Sequence, residues 1–525
     1  MAVRIMAGFY FVEQNTTRGP INFSSWTTDT FGYEHDYVGQ GWTQINAHVD
    51  VRAEHGNLIR DIGARSTVLL KNVNHTLPLT GKEKLTAVFG NDAGPNIAGP
   101  NSCSDRGCDN GTLGMAWGSG SANFPYLVTP DTAIQNTVLA AGGAYESSLD
   151  NSQLATIGAL ARRANVSIVF ANSDSGEGYI EVDGNLGDRN NLTFWQGAEA
   201  AIDAIAGSCS NTVLVVHSTG PVLLEQYKNH PNITAILWAG VPGQESGNSI
   251  ADVLYGRVNP GAKLPFTIGR NRSDYGTDIL YTPNTGEGGV PQVNFKEGVF
   301  IDYRAFDSHN ETPTYEFGYG LSYTTFSYSN LHITKLNVSD YVPFSGYTSA
   351  APTYGNFSLD QANHLFPANF SRVPLYQYPW LNSTNLTEAS ADPHYAAPGF
   401  VPAGSQNGSA QPVPKAGGAP GGNPMLYDVL YRVEATITNT GNVAGEEVPQ
   451  LYISREGPYD PVRELRGFER LSIQPNSSAT FSVDVTRRDI SSWSIIEQDW
   501  YVRDSTKRVW VGSSSRNLLL EGVLA

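Results

Sequence analysis

Five strand-like, mostly apolar runs, at residues 67–70, 87–89, 166–170, 213–216 and 233–237, most constrain what this chain can fold into. A strand with one face in water alternates apolar and polar residues, whereas an unbroken apolar run needs cover on both faces. Helical patterns separate the runs. Ala198, Ile202 and Ile205 recur at helical spacing and end near Gly207, and Ile250, Val253 and Leu254 are closed by Gly256 and Pro260. From about 46 to 64, Val51, His55, Leu58 and Ile62 repeat in the same way, and Gly63 is the expected C-cap. Strands alternating with helices predict an α/β sandwich, a mostly parallel sheet with flanking helices.

Beyond about residue 425 the period changes to two. Val433, Ala435 and Ile437 alternate, Asn439-Thr440-Gly441-Asn442 reads as a turn, and Phe481, Val483 and Val485 alternate again before Val509 and Val511. Short strands with turn signals predict an antiparallel β-sandwich, its first strand near 326–333. Between the two patterns lies a segment rich in Pro, Gly, Asn and Tyr, which reads as loop rather than core.

A chain of 525 residues has room for two or three domains. Its net charge of −17 argues against nucleic acid or an anionic membrane as partner. No apolar stretch approaches the roughly 18 residues of a membrane span. Of three cysteines, Cys103 and Cys108 are close enough for a small disulfide-closed loop, though reduced thiols with Cys209 as a third remain open. No His cluster accompanies them, so no metal is expected. Asn15, Asn74, Asn110, Asn165, Asn191, Asn232, Asn310, Asn337, Asn382 and Asn476 stand in N-x-Ser/Thr triplets, a density that fits a glycosylating, secretory route. The first ten residues nevertheless lack the charged, apolar and small-residue regions of a signal peptide.

The run at 166–170 leads into Ser173-Asp174-Ser175-Gly176-Glu177-Gly178-Tyr179. In open α/β sheets ligands sit outside the carboxyl ends of the strands, so Glu177 stands between two glycines where a carboxylate could meet a substrate. On this segment alone, a solvated loop glutamate is the competing reading.

Other motifs set that loop in a wider pattern. They are Cys103-Ser104-Asp105-Arg106-Gly107-Cys108-Asp109, Trp117-Gly118-Ser119-Gly120, Gly184-Asn185-Leu186-Gly187-Asp188-Arg189, Trp238-Ala239-Gly240-Val241-Pro242-Gly243-Gln244-Glu245-Ser246-Gly247 and Tyr315-Glu316-Phe317-Gly318-Tyr319-Gly320-Leu321-Ser322-Tyr323. In this order they resemble the β-glucosidases of glycoside hydrolase family 3, especially secreted fungal ones, over nearly the whole chain.

The resemblance implies a remnant of a barrel end and linker at 1–35, the family's carboxy-terminal α/β sandwich domain at 36–310, and a linker with the first sandwich strand at 311–342. It further implies an insertion at 343–424 and a fibronectin type III-like domain at 425–525. The opening Arg4-Ile5-Met6-Ala7-Gly8-Phe9-Tyr10 resembles the last helix of the family's amino-terminal (β/α)8 barrel, which carries the nucleophilic aspartate in a Ser-Asp-Trp context. That tripeptide does not occur here. The chain is therefore expected to be the carboxy-terminal portion of a secreted enzyme, or to begin at an internal methionine.

A retaining glycosidase needs two carboxyl groups about 5–5.5 Å apart, a nucleophile and an acid/base. The match to the family makes Glu177 the acid/base, a role that calls for a raised pKa. It makes Tyr179 a stacking surface for the aglycone sugar and Ser119 a hydrogen-bonding partner of a glycone hydroxyl. Asp105, Arg106 and Asp109 are expected to brace the Cys103–Cys108 loop, and Glu245 to favour a helix start. Asp174, Asp183 and Asp188 are the local carboxylates that could replace a nucleophile, but one loop rarely fixes two carboxylates so closely. The implied activity is hydrolysis of terminal β-D-glucosyl residues, with an oligosaccharide or β-glucoside as partner and no cofactor. The rival readings are a catalytically inactive fragment acting as a carbohydrate-binding or interaction module, and an enzyme for β-xylosides.

Overall fold

The computed structural model describes residues 2–16, 23–24, 27–34, 41–102, 110–178, 181–182, 184–186, 189–280, 284–285, 291–347, 349–350, 409–417, 422–457 and 459–525. Most of the expected insertion at 343–424 lies outside these residues. Contacts divide the chain into two units, 1–53 with 345–414, and 54–344 with 415–525. In the first, Ala2–Phe11 is helical and Phe31–Gly32 pairs antiparallel with Thr43–Gln44.

The second unit begins with α1 (His55–Ser66) and β1 (Val68–Asn72). There follow β2 (Thr86–Phe89), α2 (Pro130–Ala141), β3 (Tyr145–Ser148), α3 (Leu154–Ala161) and β4 (Val166–Ser173). The α/β part is completed by α4 (Ala198–Ala206), β5 (Thr212–Ser218), β6 (Ile233–Trp238) and α5 (Ser246–Leu254). The six strands form one sheet in the order β1-β6-β5-β4-β2-β3, parallel except where β6 meets β1.

The mostly apolar runs are explained by the two cores this sheet separates. Along β4, Val166, Ile168 and Phe170 face a layer with Ile134 and Val138 of α2 and Ile250 and Val253 of α5. Val169 and Ala171 face the opposite layer, with Leu160 of α3 and Ile202 and Ile205 of α4. Each such apolar side chain contributes roughly 1.5–3 kcal/mol by leaving water, so the middles of the central strands are mostly apolar on both faces, with Ser167 and Thr234 the small polar exceptions.

Two expectations need correction. Helix α1 starts at His55, leaving Val51 outside it, and runs through Gly63 to a C-cap at Thr67. Gly63 is an interior residue there because a Cβ would lie 2.5 Å from the Ser249 hydroxyl and 3.3 Å from Pro242 Cβ. The buried face of α1 is Gly63 and Ala64, and Leu58 and Ile62 of the expected apolar face are exposed.

The sandwich comprises two antiparallel sheets. One contains β7 (Phe326–Lys335), β8 (Val429–Asn439) and a third strand at Ser478–Thr486. The other has the order Glu464–Phe468, Gln450–Ile453, Lys507–Gly512, Leu518–Leu524. Val433, Ala435, Ile437, Phe481, Val485, Val509 and Val511 share its core, as the period-two pattern requires. Gln450 joins sandwich to α/β part: its amide donates to the Gly318 carbonyl at 3.1 Å and accepts the Tyr452 hydroxyl at 2.6 Å.

Candidate active site

Strand β4 ends at Ser173, and residues 174–178 leave the carboxyl edge of the sheet. The loop is held from one side by residues 110–120. The Trp117 indole N–H donates to the Glu177 carbonyl at 2.9 Å. The Ser119 hydroxyl donates to Glu177 Oε1 at 2.8 Å and the Ser119 backbone N–H to Oε2 at 3.2 Å. Two donors from one residue thus orient both oxygens of a carboxylate that remains exposed to solvent.

The glycines of the motif are steric requirements. A Cβ on Gly176 would lie 2.3 Å from Trp117 Cδ2, so the indole rests directly on the loop backbone. At Gly118 the backbone has φ +132°, and a Cβ would be 3.1 Å from Glu177 Cγ. Trp117 is itself buried beside Trp195, ring centroids 6.2 Å apart, and the Trp195 backbone N–H donates to the Asn172 carbonyl at 3.0 Å.

Beneath this loop pair lies a polar network that sequence reasoning missed. Asp92, just past β2, accepts from the Leu113 N–H at 2.9 Å through Oδ1, and its Oδ2 stands 2.8 Å from His217 Nδ1. Asn172 Nδ2 reaches the same Oδ1 at 3.4 Å, and His217 Nε2 lies 3.4 Å from the Ser246 hydroxyl. All are buried. The network ties the ends of β2, β4 and β5 and the start of α5 to the strip that presents Trp117 and Ser119. Its sequence signal was faint: polar Asn91-Asp92 and His217 directly following apolar runs.

Of the other residues singled out, Asp174 is buried and accepts from the Ser175 N–H at 2.7 Å. Glu245 is buried, accepting from the Tyr126 hydroxyl at 2.5 Å and from Asn248 Nδ2 at 2.7 Å. Cys209 is a buried free thiol. Asn15, Asn74, Asn110, Asn165, Asn191, Asn310, Asn337 and Asn476 are exposed, and Asn232 is half-buried. Tyr179, Asp183, Asp188, Cys103, Asp105, Arg106, Cys108, Asp109 and Asn382 lie outside the described residues. Among the described residues no cluster of His, Cys, Asp and Glu could hold a metal, and no helix is long and apolar enough to cross a membrane.

An open α/β sheet with a carboxylate loop at its carboxyl edge, followed by an antiparallel sandwich, defines a recognisable class of two-domain module. Residues 67–323 match the glycosyl hydrolase family 3 C-terminal domain, and residues 447–515 match the fibronectin type III-like domain. The chain therefore carries the family 3 C-terminal domain followed by a fibronectin type III-like domain. It is 55% identical over 527 residues to a protein of Aspergillus clavatus named "Probable beta-glucosidase A", covering 100% of this chain and 60% of that protein. Beta-glucosidase A of Aspergillus kawachii is also 55% identical over 527 residues, covering 100% and 61%. Among solved structures, Chaetomium thermophilum beta-glucosidase superposes with a TM-score of 0.89 at 53% identity, over 98% of this chain and 62% of that one. The chain thus spans about 60% of the length of the curated relatives it matches.

Proposed function

We propose that this chain supplies the acid/base half of a retaining β-glucosidase. Glu177 protonates the departing glycosidic oxygen and then deprotonates the incoming water. The observation that carries this reading is the exposed Glu177 carboxylate at the carboxyl edge of the sheet, both oxygens oriented by Ser119. Ser119 sets the carboxylate's direction and borders the glycone, and Tyr179 stacks against the aglycone sugar. The nucleophile is contributed by protein outside these 525 residues, and the substrate is a terminal non-reducing β-D-glucosyl unit of cellobiose or a related glucoside. Secretion and glycosylation belong to the same reading.

Leu58, Ile62 and Val241 support the presence of a covering surface. All three are exposed, and they lie on segments packed beside the site strip, where the Gly243 N–H donates to the Gly114 carbonyl at 2.8 Å.

The test is aryl-β-glucoside hydrolysis by this chain alone and by the chain fused behind the preceding residues of the Aspergillus kawachii relative, each with Glu177→Gln. We expect no turnover from the chain alone and clear turnover from the fusion. Glu177→Gln should lower the latter by about 10²–10⁴-fold for poor leaving groups and far less for dinitrophenolate, which leaves unprotonated. Turnover by the chain alone, or a fusion indifferent to Glu177→Gln, would overturn the assignment.

A further inference from the structure

A cavity of about 470 Å³ lies well away in sequence from the Glu177 loop, on the sandwich, where the hairpin Ser491–Ser494/Asp499–Val502 meets residues 455–466. That is a volume typical of small-molecule sites. Its charge is unusual for this chain. Arg304, Arg455, Arg466, Arg488 and Arg503 line it against only Asp460 and Glu464, an excess of three positive charges in a protein of net charge −17.

The two carboxylates are already committed. Asp460 pairs with Arg455 at 3.1 Å and Arg503 at 3.8 Å, and accepts from the Ser492 hydroxyl at 3.0 Å. Glu464 pairs with Arg466 at 2.8 Å, Arg304 at 3.8 Å and, more closely, Arg455. Arg455 is buried, and its Nε has no hydrogen-bond partner among the described residues. Arg488 makes no ion pair among the described residues; its guanidinium lies 3.4 Å from the centre of the Trp500 ring. The neighbouring Asp489 carboxylate is turned away, accepting from Thr486 N–H at 2.8 Å and Thr486 hydroxyl at 2.6 Å. Burial, and then Arg466 and Arg455, push the Arg488 pKa down, so its charge is held at a cost that a bound anion would relieve.

Besides Val299 and Ser492, the other lining groups are aromatic. Trp493, 39% exposed, stands edge-to-face with Trp500 at 5.1 Å, and Tyr459 is exposed at the rim. An exposed indole beside hydrogen-bonding groups packs well against the C–H face of a pyranose. A guanidinium binds a carboxylate through paired N–H donors.

We propose that this cavity binds a sugar carrying a carboxylate, a hexuronate unit, with the carboxylate on Arg488 and the ring on Trp493. The site is separate from the Glu177 chemistry and gives the sandwich a ligand of its own.

Tryptophan fluorescence of the full chain, titrated at low salt, tests this with glucuronate, glucose, inorganic phosphate and a trimeric uronate as probes. Glucuronate should give a saturable change that glucose and phosphate at equal concentration do not. Arg488→Gln and Trp493→Ala should each raise Kd at least tenfold, and Arg488→Lys should recover only part of the loss, keeping the charge without the paired donors, while all three keep the parent melting temperature. Tighter binding of the trimer supports a unit within a polysaccharide, and equal binding supports a free or terminal sugar. Binding of glucose as tight as glucuronate, phosphate matching glucuronate, or unchanged affinity in Arg488→Gln each overturns the proposal.

Discussion

Asp92→Ala should be far more damaging than its distance from any substrate suggests. The side chain serves two short hydrogen bonds, from the Leu113 N–H at 2.9 Å and with His217 Nδ1 at 2.8 Å, and a longer one from Asn172 at 3.4 Å. Leu113, His217 and Asn172 are all buried, so none regains a partner from water. A buried donor left unsatisfied costs about 1–3 kcal/mol, and the third, longer bond contributes little. Counting the two short bonds gives about 2–6 kcal/mol, which brackets the range seen when one partner of a buried pair is removed. For a unit of about 400 residues that corresponds to a fall in Tm of roughly 2–7 °C. The assay is thermal and urea unfolding followed by tryptophan fluorescence, with His217→Ala and the double variant completing a cycle. Because the two residues share one contact, the double variant should lose less than the sum of the singles. Hydrogen exchange at 111–114 should also rise, since the Leu113 anchor is gone. A loss under about 0.5 kcal/mol, the scale of an ordinary surface substitution, would refute the claim that this network holds the loop.

Gly176→Ala forces a methyl group to within 2.3 Å of the Trp117 ring, about 1.2 Å inside ordinary contact, so the loop or the indole must move. The expected cost is about 1–3 kcal/mol with altered near-UV circular dichroism, and an unchanged spectrum and melt would show that the indole does not sit on the loop. Asp252→Asn removes the charge and one of the two oxygens that accept Arg60 Nε at 2.6 Å and Arg60 Nη2 at 2.8 Å. Burial opposes ionisation of Asp252, but its bonds to Arg60 and Arg257 outweigh that and hold the carboxyl below the usual range. A depressed carboxyl contributes stability above its unfolded pKa near 3.9 and loses it as pH falls through the folded value. The parent's advantage of about 1–2 kcal/mol at pH 7 should therefore shrink below about pH 4, and a gap constant down to pH 2 would contradict this. Gln450→Ala leaves the buried Tyr452 hydroxyl and the Gly318 carbonyl without their partner, and calorimetry should show about 2–3 kcal/mol lost where sandwich and α/β part meet.

What was legible in the sequence was what local periodicity encodes. The central strands announced themselves because burial on both faces favours apolar residues, as at 168–170 and 213–216. Strand β3 did not, since Tyr145–Ser148 lies at the edge of the sheet with a half-exposed, polar sequence that carries no periodic signal. Helix α1 was found with the wrong face inward. Leu58 and Ile62 have the right spacing for a core but stay exposed, while Gly63 and Ala64 allow close approach to Ser249 and Pro242. Close backbone packing is written in small residues, which hydrophobic patterning does not register. The Asp92–His217 pair spans 125 residues, and nothing local to either position announces the other.

The Glu177 loop shows why motif and mechanism are separate questions. Gly176 and Gly118 are required by Trp117 and by the Glu177 side chain itself, so the motif's spacing encodes packing before it encodes chemistry. Packing then yields direction: the indole fixes the loop backbone and Ser119 fixes the carboxylate. Direction alone does not make a general acid, which also needs a site shielded from water. On the proposed reading that shielding arrives with the surface that covers Leu58, Ile62 and Val241, which are exposed here. Docking and activation of Glu177 then become one event. On that reading the half-site is preset by Trp117 and Ser119, and its acid/base character is acquired when a covering surface excludes water.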